Sequence, residues 1–297
     1  MAGVQGYRLF NVQLVHKSQV SPSLMSLVFG GQDVAHMKCD SPDQRIKMLF
    51  PSEDGSIPAL PNQGEWYQLL QQLPREKRPV VRTYTLRKVD RERQEVTVEF
   101  VSHGTEGPAS AWAINSRPGD QIQIVAPNAE YTQDSGGYEW TPPSGLRHGL
   151  IIADETALPA ARGILELLAT QEKPPHIQAF FEVPEEGDCV DLSEFSFAQI
   201  HWLARKTVNA THGECLLKSV RENAQVPATA GVTEALNEEA EGELLWDKAT
   251  TVSNDFYGWV AAESTVVKLL RRHLIGECGV NHDAINFMAY WSQGRVR

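Results

Sequence analysis

A change of rhythm near residue 140 constrains the fold more than any other feature of this chain. Up to that point the sequence runs as short strand-like segments: Arg8 to His16, Leu24 to Phe29, Arg45 to Phe50, a hairpin from Val80 to Val101 turning through Asp90 to Gln94, and Gln121 to Val125. Strand after strand without a helical period predicts a closed antiparallel β-barrel. Gly, Pro and Ser then accumulate from Gly136 to Gly145, and strands begin to alternate with helices. Strands are expected at Gly149 to Ala153, Ile177 to Val183, Ile200 to Leu203, Tyr257 to Ala261 and Ile285 to Tyr290, with helices at Leu158 to Ala169 and from Glu263 to about Ile275. Such a βαβ series implies a mainly parallel sheet whose ligand crevice lies beyond the C-terminal strand ends. The expected architecture is a β-barrel plus an α/β domain, with residues 1–140 as the barrel and 146–297 as the sheet domain. An acidic insertion at about 218–247, rich in Ala, Glu and Thr, reads as a peripheral helical excursion or mobile connection.

A chain of 297 residues suits two ordinary domains better than one, and 41% apolar residues can fill two cores. No apolar run reaches the roughly 18 to 20 residues needed to cross a bilayer. The first residues carry neither a basic start nor an apolar stretch of signal-peptide type, so a cytoplasmic location is expected. The net charge of −11 is uneven: residues 1–140 carry 14 Lys and Arg against 16 Asp and Glu, and 141–297 carry 13 against 22. Nucleic acid and anionic membranes, which demand a basic field, are therefore not expected partners. Cys39, Cys189, Cys215 and Cys278 form no C-x-x-C pair, and the nine histidines lack ligand spacing, so no protein metal site is expected.

The stretch from Arg82 to Trp112 concentrates the chemistry of the first domain. Arg82 offers a planar donor fork suited to pyrophosphate. In an extended strand it shares a face with Tyr84, while Thr83 and Thr85 alternate with them and Thr85 adds a hydroxyl and its own N–H. Gly107, Pro108, Ala109 and Ser110 read as a helix opening with proline in the first turn, leaving N–H groups and the positive dipole end for an anion. A hairpin strand followed by an ordinary helix explains the same residues about as well. His103 is either a phosphate ligand or a polar strand terminus, and Trp112 is read as a packing residue.

In the second domain Asp154, Thr156 and Ala157 follow a strand, and Arg205 follows another. Arg205 is open to two readings, a partner for the 2′-phosphate of NADPH or a surface arginine. Glu263 opens a helix and is read mainly as dipole compensation. No G-x-G-x-x-G is present, so position alone speaks for a dinucleotide. Trp259, Tyr290 and Trp291 are read as strand residues, two of them core and one able to cover a flat ring. Lys47, in the strand ending at Phe50, is either a cation for an anionic ligand or a snorkelling edge residue.

Arg82-Thr83-Tyr84-Thr85 matches the R-x-Y-[ST] flavin motif of ferredoxin-reductase-like flavoproteins. With His103-Gly104, Gly107-Pro108-Ala109-Ser110-x-Trp112-Ala113, Arg117-Pro118-Gly119-Asp120, Asp154-Glu155-Thr156-Ala157-Leu158-Pro159-Ala160, Trp202-Leu203-x-Arg205 and Ala289-Tyr290-Trp291, the chain resembles the siderophore-interacting protein family. That resemblance implies an FAD-dependent ferric-siderophore reductase, with FAD on the barrel near Arg82 to Thr85, His103 and Gly107 to Ser110. It further implies NADPH or NADH as donor at Asp154 to Ala157 and Arg205, and release of iron as Fe(II). By the same likeness Thr85 would sit near the flavin N5. A ferredoxin is an alternative donor; a general flavin reductase, an electron-transfer flavoprotein or a non-redox siderophore-binding protein is an alternative reading of the whole. Relatives commonly have G-Y-W followed by a base, whereas this chain has Ala289-Tyr290-Trp291-Ser292-Gln293. The resemblance thus leaves Lys47 as the chelate-binding cation, supplemented by Lys268, Arg295 or Arg297.

Overall fold

The computed structural model describes residues 4–62, 64–102, 107–227, 244–250 and 253–294. His103, Arg295, Arg297 and residues 228–243 of the expected insertion therefore lie outside the described residues. The chain divides between Tyr138 and Glu139 into two compact units.

The first unit contains β1 (Tyr7–Ser21), β2 (Leu24–Gly30), β3 (Arg45–Phe50), α1 (Trp66–Gln72), β4 (Val80–Thr85), β5 (Lys88–Asp90), β6 (Glu95–Val101), α2 (Pro108–Asn115) and β7 (Gln121–Pro127). Its strands form one antiparallel sheet in the order β4-β3-β7-β1-β2-β6-β5. The expected hairpin from Val80 to Val101 is only partly present. β5 pairs with β6 across the turn, but β4 pairs with β3 at the far edge. The break falls at Leu86, whose N–H donates to Gln44 O at 2.7 Å, while the N–H of Arg87 donates to Thr97 O at 3.0 Å. One continuous run thus starts on one edge of the sheet and ends on the other, so the chain itself closes the curl. The buried Leu86 side chain fixes that crossing.

Inside the curl, Phe10, Phe29, Phe50, Phe100 and Ile124 form the centre of the core. The ring of Phe50 lies 6.1 Å from Phe100, 6.3 Å from Tyr84 and 5.6 Å from Trp112. Trp112 also stacks on Phe29 at 6.0 Å, so this residue anchors α2 to the sheet as expected.

The second unit contains β8 (His148–Asp154), α3 (Leu158–Ala169), β9 (His176–Val183), β10 (Ala198–Ala204), α4 (Glu214–Asn223), β11 (Trp246–Asp247), β12 (Phe256–Glu263), α5 (Ser264–Arg271) and β13 (Ile285–Trp291). The sheet order is β10-β9-β8-β12-β13-β11, parallel throughout except for the two-residue β11. Near-continuous apolar runs such as Leu150-Ile151-Ile152-Ala153 follow from burial on both faces. Ile151 and Ala153 pack on the α3 side, and Leu150 and Ile152 on the side of α4 and α5. α4 begins just before the segment expected to be peripheral at about 218–247 and runs into it, and Leu216 and, within that segment, Val220, one turn apart, are fully buried against the sheet. An i,i+4 apolar pair on an otherwise charged helix is a core-facing stripe, which the composition of the segment as a whole concealed.

Because Phe50 links Tyr84, Phe100 and Trp112, Phe50→Ala should cost about 3 to 5 kcal/mol. Urea denaturation followed by tryptophan fluorescence would show the loss as an earlier transition.

Candidate functional site

On β4 the pleat places Arg82 and Tyr84 on one face and Thr83 and Thr85 on the other. Tyr84 lies over Phe100 at 4.3 Å between ring centroids, and burial pushes its hydroxyl well above the usual range. Arg82 is half-buried, and its Nη1 donates to Val81 O at 2.8 Å. Among the described residues no carboxylate is recorded within ion-pair distance of its guanidinium, and burial lowers its pKa. A half-buried cation without a counter-charge suits an incoming anion. In the same unit α2 opens with Pro108 at its first turn, with neither a side-chain cap nor an acidic residue in that turn. Among the described residues, a side chain added at Gly107 would meet nothing within 4 Å. α2 packs against β3, β4 and β6, bringing Ala109 and Ala113 into the barrel core. These features fit the phosphates of a dinucleotide cofactor.

Lys47 on β3 pairs in register with Thr83, and its Nζ donates to Thr83 Oγ1 at 2.6 Å. It therefore shares the face of Thr83 and Thr85 and lies opposite that of Arg82 and Tyr84. The sequence reading gave Arg82 to Thr85 to the cofactor and Lys47 to the chelate; the strand pleat sets Arg82 and Tyr84 on one face and Lys47, Thr83 and Thr85 on the other.

The strand order of the second unit reverses between β8 and β12, where a crevice is expected at the C-terminal ends. Asp154 ends β8 there and is almost fully buried. Its Oδ1 accepts Thr156 N at 2.9 Å and Thr156 Oγ1 at 2.5 Å; its Oδ2 accepts Glu263 N at 3.0 Å and Trp291 Nε1 at 2.8 Å. Burial, with the neighbouring Glu155 charge, pushes Asp154 up to about 6. Burial also opposes ionisation of Glu155, but Arg205 and His212 outweigh it and hold Glu155 at about 2.

Arg205 reaches Glu155 through both terminal nitrogens, at 2.9 and 2.7 Å, and Glu182 at 3.2 Å. The sequence left Arg205 open between a 2′-phosphate partner and a surface arginine; in the structure its side chain is only 13% exposed and faces carboxylates. Its donor fork is occupied by two buried carboxylates, and it serves as their counter-ion. Glu182, fully buried near the end of β9, also accepts Gly213 N at 2.6 Å and Leu216 N at 2.8 Å, so it holds the start of α4. Gly213 has φ +82°, and a Cβ there would lie 2.1 Å from Val266 Cγ2, so this close approach requires glycine.

His212 completes the cluster. Its Nε2 is buried, 3.5 Å from Asp154 Oδ2 and 3.6 Å from Glu155 Oε2, and its ring meets Trp291 edge-on at 5.0 Å. Burial alone would lower its pKa, but the two carboxylates raise it. Asp154, Glu155 and His212 lie close enough to surround a cation. The four carboxylate oxygens already accept hydrogen bonds, however, and Arg205 already supplies charge, so the arrangement is that of a closed ionic network. Glu263 caps α5 by accepting Thr265 N at 2.6 Å and Val266 N at 3.2 Å, in agreement with its structural reading. Lys268 sits exposed in the last turn of α5, which leads away from the C-terminal end of β12, so it does not join these residues. Sequence reasoning passed over Glu182 and His212. Glu182 carried a signal, a lone charge in the apolar strand Ile177 to Val183; His212 carried none.

A family model described as a siderophore-interacting FAD-binding domain matches residues 13–131, and one described as siderophore-interacting protein matches 146–294. The chain belongs to the siderophore-interacting protein family. It is 30% identical over 203 residues to an uncharacterized Mycobacterium tuberculosis protein, covering 67% of this chain and 66% of that relative. It is 26% identical over 285 residues to the Vibrio cholerae ferric vibriobactin reductase, covering 96% of this chain and 89% of that one. A solved siderophore utilization protein from T. fusca shares the fold at a TM-score of 0.72 and 23% identity, over 99% of this chain and 96% of that one. The fold of the family, an antiparallel flavin-type barrel followed by a nucleotide-type α/β domain, is the fold found here.

Arg205→Lys keeps the charge but loses the two-pronged contact, so it should lower stability by about 1 to 3 kcal/mol. It should leave the NADPH to NADH ratio of reduction rates unchanged; thermal melts and stopped-flow traces would check each half. A histidine raised above its ordinary 6.5 contributes stability that is present below that value and is lost as pH rises through its folded value. His212→Gln should accordingly lower the melting temperature at pH 6 and have little effect at pH 9.

Proposed function

We propose that this chain is an FAD-dependent ferric-siderophore reductase that takes electrons from NAD(P)H and releases iron from the ferric chelate as Fe(II). The observation that carries this reading is the half-buried, uncompensated Arg82 beside Tyr84 on β4, within the stretch that matches the family's FAD-binding domain. The first unit would hold FAD and the second would receive the nicotinamide donor. When bound, FAD supplies the redox chemistry that links a hydride donor to a one-electron acceptor. Arg82 neutralises phosphate charge, the α2 N-terminus with Gly107 to Ser110 offers backbone donors, and the Tyr84 ring presents a flat apolar surface. Thr85, buried on the opposite face, contributes its hydroxyl at the strand end. His103 would add a donor to a phosphate.

Lys47 attracts the anionic chelate, orienting it by charge without entering the coordination sphere of the iron. Iron reaches the protein as substrate already wrapped in hard oxygen ligands, and reduction to Fe(II) weakens their hold. With Ser292 where relatives tend to carry a base, the substrate site would suit less highly charged chelates. Asp154, Thr156 and Ala157 lie at the strand ends where a donor nucleotide would lodge, and the nearby ionic network keeps that crest rigid. The four cysteines are unpaired as thiols, in keeping with action in the reducing cytoplasm. Among the described residues no helix is long and apolar enough to cross a membrane.

Purified protein should be yellow with flavin absorbance, and anaerobic NAD(P)H should bleach it until ferric chelate is added, with Fe(II) trapped by a ferrous-specific dye. A colourless protein that cannot be loaded with FAD would refute the reading; bleaching by a reduced ferredoxin alone would replace the donor. Arg82→Ala should weaken FAD retention by roughly ten- to a hundredfold, the equivalent of about 1.5 to 3 kcal/mol. Lys47→Ala should raise KM for the chelate with little change in the rate of flavin reduction. Added salt should mimic that change, since exposed charges are screened over about 10 Å at 0.1 M.

A further inference from the structure

Beyond α5 the chain does not end its helix in the ordinary way. Residues Arg272–Glu277 form a wider π-type turn, in which Cys278 N–H donates to His273 O at 2.9 Å, five residues back. The extra residue per turn carries the Cys278 side chain over that of His273. Cys278 Sγ lies 3.4 Å from His273 Nε2, and His273 Nδ1 lies 2.6 Å from Glu277 Oε2. His273 is nearly buried, Cys278 is half-buried and Glu277 is exposed. This stretch precedes β13, at the N-terminal side of the parallel sheet and away from the strand ends described above.

The order of contacts assigns the protons. Glu277, held below its usual range chiefly by its hydrogen bond to His273, is the acceptor for Nδ1–H. Nε2 is then the acceptor facing the thiol. Nucleophile, base and orienting carboxylate thus stand in the sequence that activates a weak nucleophile. Cys39 differs: its sulfur faces the carbonyl oxygens of Ser41 and Leu86, which cannot take a proton. Single π-type turns inside helices often coincide with functional positions, and here the turn is what creates the contact.

We propose that Cys278, with His273 as its base and Glu277 as the positioning residue, is a thiol modification site that reacts with small hydroperoxides. The sulfur attacks one peroxide oxygen while Nε2 takes the thiol proton, and the O–O bond breaks. The leaving oxygen then recovers that proton from Nε2. Sulfur is oxidised by two electrons to the sulfenic acid and the peroxide is reduced to water, or to an alcohol for an organic hydroperoxide. Burial and the Glu277 charge hold the thiol above its ordinary range, so it is a thiol at rest and proton removal by His273 belongs to the reaction step itself.

The test treats the full-length protein with hydrogen peroxide, traps sulfenic acid with dimedone, and follows each cysteine by peptide mass spectrometry. Cys278 should be trapped at least about tenfold faster than Cys189 and Cys215, the scale expected of a positioned base. Glu277→Gln, an exposed change, should slow Cys278 several-fold while leaving the other cysteines and the melting temperature unchanged. His273→Asn should slow it further, and if that buried change prevents folding, Glu277→Gln alone decides. Equal rates at Cys278, Cys189 and Cys215, or an unchanged Cys278 rate in Glu277→Gln, would overturn the assignment.

Discussion

A single buried carboxylate, Glu182, organises the second unit. Left alone in an apolar interior its charge would cost several kcal/mol, so the fold must bring donors to it. Two come from the backbone at the start of α4 and one from Arg205, which in turn holds Glu155. Glu155 adjoins Asp154, and Asp154 accepts from the end of β12 and from Trp291 at the end of β13. One chain of charge-assisted contacts therefore ties β8, β9, β12, β13, the residue after β10 and the start of α4 at their active ends. Removing any member would leave another buried charge without its partner.

The layers of this fold were largely legible in the sequence because hydrophobic periodicity is a local signal. Arg45–Phe50 and Leu158–Ala169 could be placed to the residue, and the remaining strands to within a few. What the sequence concealed was pairing. The run from Val80 to Val101 reads as one hairpin, since nothing local shows that Leu86 sends the first half of the strand to β3 instead. The same limit affected the site. A strand pattern reveals that Arg82 and Tyr84 share a face, but the position of Lys47 relative to them depends on the β3–β4 register, and that register sets it with Thr83. Arg205 and Glu155 are 50 residues apart, and no spacing rule connects them.

The two units treat buried charge in opposite ways, and this contrast bears on function. In the second, each charged group of the cluster is answered within the protein, so its role is to hold strand ends in place. In the first, Arg82 carries a half-buried charge that the described residues do not answer, and the helix start in the same unit has no side-chain cap. A protein tolerates such an imbalance when a ligand resolves it, and the free energy withheld from folding then appears as affinity.

Two arginines that look alike in the sequence differ in the same way. Arg205 and Arg82 both follow or occupy strands, and both present guanidinium groups of the kind that suits phosphate. Their neighbours distinguish them: Glu155 and Glu182 face the first, whereas among the described residues no carboxylate is recorded within ion-pair distance of the second. An arginine facing two carboxylates at hydrogen-bonding distance would have to break both contacts to receive an anion, leaving two buried negative charges beside it. A half-buried arginine without a carboxylate partner has no such contacts to break, and an anion would supply the counter-charge that the described residues do not. The barrel thus offers a guanidinium without a carboxylate partner among the described residues, whereas the guanidinium at the end of the sheet is already held by two buried carboxylates.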